Sequence, residues 1–106
     1  MADKISFQDI HRGICIIAQH MGDSPGLLQD IHMNFELSEN YYHKVKRLNH
    51  GDLERAMKET LYEALGNSHS WEDFARILHY AMTQAGRPAQ YQELLNKHNL
   101  EGFIFK

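Results

Sequence analysis

The chain has 106 residues, of which 42% are hydrophobic and 24% charged, which suits one folded domain around one core and excludes a disordered chain. Its one cysteine, Cys15, excludes an intrachain disulfide and points to a reducing compartment. The net charge of −3 argues against a nucleic-acid binder, and no apolar run approaches the ~18 residues of a membrane helix. With no basic n-region ahead of an apolar stretch at the N-terminus, a cytoplasmic protein is expected.

The first element opens at "SFQD", where Ser6 caps a helix and Asp9 follows in a variant of the capping box. Phe7, Ile10, Ile14, Ile17, Ala18 and Met21 recur at helical spacing, and Gly22 ends the run. At "DSPG", Ser24 restarts the chain and Pro25 fits the first helical position, because its missing N–H costs nothing there. Leu27, Leu28, Ile31 and Phe35 mark the buried face of this second helix. At Ser38 two courses are open. The periodicity can run on through Tyr42 and Val45 as one long helix, or Ser38 can cap a new helix ending near Leu48.

Asn49, His50 and Gly51 predict a turn, and Asp52 caps the next helix, lined by Leu53, Met57, Leu61, Ala64 and Leu65. Glu54 with Lys58, and Arg55 with Glu59, are spaced to pair on its outer face. "SWED" starts another helix at Ser70, with Trp71, Phe74, Ala75, Leu78, Ala81, Met82 and Ala85 on its apolar side and Gly86 at its end. Pro88 opens a last short helix carrying Tyr91, Leu94 and Leu95. The tail "GFIFK" is expected to be extended, as a strap on the core or a short strand. The sequence thus predicts an all-α bundle of five or six short helices, one domain over residues 1–106.

The run "NYYHKVKRLNH" gathers His43, Lys44, Lys46 and Arg47 in the last turns of a helix. Cations are favoured there because carbonyls without partners carry partial negative charge. The remaining 8 lysines and arginines face 14 acids, and Glu36 and Glu39 lie just upstream, so a broad nucleic-acid surface is not expected. On one continuous helix His32, Glu36, Glu39 and His43 would form a stripe of possible metal ligands. That stripe would be ~16 Å long, too long for one ion, and no paired ligand motif accompanies it. No metal and no cofactor is expected. Cys15, between isoleucines, reads as a small hydrophobe, and no nucleophile elbow or phosphate loop is present. The eight histidines could reverse the sign of the net charge in mild acid.

The stretch "SWEDFARILHYAMTQAGRPAQYQELLNKHNL", residues 70–100, resembles the closing helices of death-fold interaction modules and is similar to bacterial effector-associated, death-like domains. The shared features are the apolar helix with "FARIL", then "AGR", then a short helix with "LL"; Pro88 departs from the pattern. The resemblance covers under a third of the chain. It implies a six-helix adaptor that binds like modules through charged surfaces, with no catalytic residues.

The expectation is therefore a non-enzymatic module that binds another protein, a second copy of itself included, as an adaptor, inhibitor or regulator. Its contact residues would be Tyr41, His43, Lys44, Lys46 and Arg47, with Phe103 and Phe105 of the tail supplying apolar area. A DNA-binding helical regulator and a histidine-based metal-binding protein are the alternatives.

Overall fold

Hydrogen-bonding side chains at the starts of the apolar runs set the helix boundaries. In the computed structural model, which describes residues 6–22, 25–49 and 52–104, six α-helices follow one another. They are α1 (Phe7–Met21), α2 (Pro25–Asn34), α3 (Glu39–Leu48), α4 (Leu53–Gly66), α5 (Trp71–Gln84) and α6 (Pro88–Lys97). Among the described residues there is no strand. Ser6, Ser38, Asp52 and Ser70 each accept the backbone N–H three residues on, at 3.1 Å. Each cap supplies a partner to an amide that the helix itself leaves unpaired. Pro88 opens α6 as its missing donor allows. The expected cap Ser24 and the turn residues His50 and Gly51 lie outside the described residues.

The long second helix is not continuous. Glu36 takes the left-handed conformation, with φ of 56°, and breaks it. The Leu37 N–H then donates to the His32 carbonyl at 2.9 Å, and the Glu36 N–H to the Met33 carbonyl at 3.2 Å. This double closure is a Schellman motif, which satisfies the last carbonyls of α2 and turns the chain toward Ser38. Gly86, with φ of 75°, ends α5 in the same manner, and Asn99 ends α6.

One cluster of buried side chains draws on all six helices. Central to it is α4, which packs against α1, α2, α3 and α5, while α2 lies along α5 and α6 caps α5. Helix α1 buries Ile14, Ile17, Ala18 and Met21, and α5 buries Phe74, Ala75, Leu78, Ala81 and Met82. Phe7, expected on the same face as Ile14, is 74% exposed, because at the first turn it projects beyond the edge of the bundle. The radius of gyration is 12.8 Å, close to the ~13 Å of a packed 100-residue domain.

The described part of the tail, residues 102–104, lies on the core as a strap, but it is coiled at its start where an extended course is expected. Residues Glu101–Phe103 wind into a single 3₁₀ turn that carries Phe103 into the core. Its ring meets Trp71 edge-on at 4.9 Å between centroids, and the Trp71 indole N–H donates to the Gly102 carbonyl at 2.6 Å. No described helix is long and apolar enough to cross a membrane.

Candidate functional site

Helix α3 differs from the others in how little it buries. Its one fully buried apolar residue is Val45, flanked by half-buried Tyr41 and Tyr42. Full burial of a large apolar side chain contributes ~1.5–3 kcal/mol. On that scale α1 and α5, with several such residues each, are held far more firmly than α3. Asn49 helps to moor its end, donating from Nδ2 to the Val45 carbonyl at 2.7 Å and to Glu59 Oε2 at 3.3 Å.

The outer side of α3 carries His43, Lys44, Lys46 and Arg47, all exposed. At about 100° per residue these four fan over an arc of roughly 160° opposite Val45. Lys46 Nζ stands 5.1 Å from the centroid of the Tyr42 ring, a cation–π contact. Glu39 is 3.6 Å from His43 Nε2, one turn away. Lys44 and Arg47 form no ion pair with any described residue. Leu48, next to them, is 57% exposed. Four of the expected contact residues thus share one exposed surface.

Of the other three expected contact residues, Tyr41 and Phe103 do not join it. Tyr41 points inward, with its hydroxyl donating to the Glu59 carbonyl at 3.3 Å. Burial, and then the carboxylates of Glu63 and Glu59, push its pKa up to about 12, so it is a neutral phenol at ordinary pH. Phe103 is 1% exposed and has no free surface to offer, because the 3₁₀ turn inserts its ring beside Trp71. Phe105 lies outside the described residues.

The expected stripe of possible metal ligands is also dismantled by the break at Glu36. His32 is buried at the end of α2, Glu36 sits in the turn, and only Glu39 and His43 remain together. Among the described residues no three histidine, cysteine or acidic side chains converge to hold a metal. On α4, Arg55 reaches Glu59 at 3.9 Å, whereas Glu54 and Lys58 form no ion pair with any described residue.

Three arrangements escaped the sequence. His11 is hydrogen-bonded through Nδ1 to the Tyr62 hydroxyl, while Cys15 Sγ lies 3.6 Å from its Nε2. The four-residue spacing of His11 and Cys15 was the available signal, but Tyr62 comes from another helix. A cleft of about 470 Å³ opens beside the Glu36 turn, where Glu36 and Glu63 face Ser38, Tyr41 and Asn67 over the apolar walls of Phe35 and Leu37. His32 is enclosed by aromatic rings, with Tyr42 edge-on at 4.8 Å and Tyr41 at 5.7 Å between centroids. Its place four residues after Leu28 put it on the apolar face of α2.

No protein-family model, no curated protein and no solved structure matches the chain.

Proposed function

We propose that this chain is a non-enzymatic binding module that uses the outer face of α3 to hold an acidic segment of another protein. The observation that carries this reading is the set of exposed Lys44, Lys46 and Arg47 on a helix that gives only Val45 fully to the core. Such side chains in a protein of net charge −3 concentrate positive potential on one side. Leu48 beside them adds apolar area of the kind a partner covers. The resemblance of residues 70–100 to death-fold modules points in the same direction, toward an adaptor or regulator working through charged surfaces.

An array of acidic, neutral and basic peptides, probed with the wild-type chain and with the triple variant K44E/K46E/R47E, tests it. Wild type should retain acidic peptides, less so at raised salt, and the triple variant should not. Retention of no peptide, or equal retention by both proteins, overturns the proposal. Duplex DNA at low salt serves as the other arm. Retardation that depends on the same three residues, without peptide binding, would assign the face to nucleic acid instead.

A further inference from the structure

His32 is 3% exposed, and the polar groups around it determine which nitrogen is protonated. Nδ1 lies 2.8 Å from the Leu28 carbonyl oxygen, which can only accept, so Nδ1 carries the hydrogen of the neutral ring. Nε2 is then the bare nitrogen. It is buried and meets no hydrogen-bond partner among the described residues. The next proton must go to Nε2, and there it would create a buried N–H and a positive charge with no acceptor.

We infer that His32 is a proton-operated pin between α2 and α3: protonation at Nε2 loosens the Tyr41–Tyr42 cage and frees α3 from the bundle. The groups around the cage are few. From α3, Lys46 stands over the Tyr42 ring and the His43 ring lies against it, with centroids 5.6 Å apart, so positive charge on either adds to that on His32. From α4, Glu59 and Glu63 act on the Tyr41 hydroxyl at the far side. The His32 pKa is lowered chiefly by burial, opposed by the Leu28 carbonyl, and no charged side chain contributes in either direction. The tilted and edge-on rings compensate a cation at most in part, and burial prevails.

The weaker helix yields. Leu27, Leu28 and Ile31 fix α2 against the interior with at most 1% exposure each, whereas α3 commits Val45 alone among fully buried residues. Withdrawing the two tyrosines lets water reach Nε2 while leaving the rest of the core closed. The same helix bears the cationic face, so the pin would regulate binding there. That consequence rests on the proposed function; the opening itself does not.

Amide hydrogen exchange between pH 7.5 and 5, corrected for intrinsic rates, is the test. The opening constant of α3 should grow by up to about tenfold per pH unit below 6.5, while α1, α4 and α5 stay protected. In His32→Leu the growth should vanish. Unchanged α3 protection in wild type, the same growth in the variant, or loosening of all helices together overturns the inference. A wild-type measurement covers a variant that does not fold. By NMR, the α3 amide shifts should follow the titration midpoint of the His32 ring; shifts that follow the exposed His43 ring instead would refute it. Neither measurement uses a partner, so a failed peptide array and a failed pin are separate results.

Discussion

The ring of Phe103 lies directly on the backbone of Gly13, so that a methyl group at position 13 would overlap its Cε1 and Cζ atoms. The ring cannot swing aside freely, because Trp71 and Phe74 pack edge-on to it. Glycine to alanine inside a helix normally gains ~1 kcal/mol. At Gly13 overpacking, at ~1–3 kcal/mol, outweighs that gain. Gly13→Ala should therefore lower stability in urea unfolding, by up to about 2 kcal/mol. Gly66→Ala, where added bulk meets nothing, should hold or raise it by up to ~1 kcal/mol. In a double-mutant cycle Phe103→Leu should recover part of the Gly13→Ala loss.

Glu36 occupies a backbone region that a side chain with a Cβ enters at a cost of ~1 kcal/mol or more. Gly86 stands at the equivalent closing position of α5 without that cost. Glu36→Gly should therefore stabilise the protein by about 1 kcal/mol, a rise of ~4–8 °C in Tm for a domain of this size. A thermal melt in which Glu36→Gly unfolds earlier than wild type would contradict this account of the turn.

Tyr91 is fully enclosed, and its hydroxyl finds no hydrogen-bond partner among the described residues. Tyr91→Phe removes an orphaned group at almost unchanged shape and should gain about 1 kcal/mol at pH 7. Burial also raises the Tyr91 pKa well above the usual 10, as it does for Tyr41. The folded chain then holds protons that the unfolded chain releases. The stability from these tyrosines is complete below pH 10 and falls as pH rises above it. Urea midpoints measured from pH 9 to 11.5 should decline in wild type and decline less in Tyr91→Phe and Tyr41→Phe.

The triple variant K44E/K46E/R47E replaces favourable cations at the carbonyl end of α3 with anions. Each such interaction is worth ~0.3–1 kcal/mol, so the variant should lose about 1–2 kcal/mol in total. Its far-ultraviolet circular dichroism should match wild type at 20 °C, which qualifies it as a control for binding. Loss of the helical spectrum would show that these side chains hold the fold.

The sequence signals that proved legible are local. Ser6, Asp52 and Ser70 cap where their neighbours indicate, because an N-cap acts within three residues of chain, and Ser38 takes the cap that helical spacing leaves open. The cationic cluster is exposed near a helix end for the same reason. The break after α2 is not decided by local pattern, because Leu28, Ile31, Phe35, Tyr42 and Val45 keep helical spacing across it. The residue that takes the turn is Glu36, which has no preference for one, and the long-range contacts of α3 with α4 decide the matter. Phe103 was visible as an apolar tail residue. Its burial was not, since the space for it is provided by Gly13 near the other end of the sequence. Likewise the rings around His32 come from a second helix, which no local pattern specifies.

The indole that fastens the C-terminal strap is also the chain's one tryptophan. Its fluorescence is thus a point reporter on that strap, while dichroism averages over every helix. Should the strap lift before the bundle melts, emission would shift to the red along a curve of its own. Coincident optical curves would mean that strap and bundle let go as one cooperative unit.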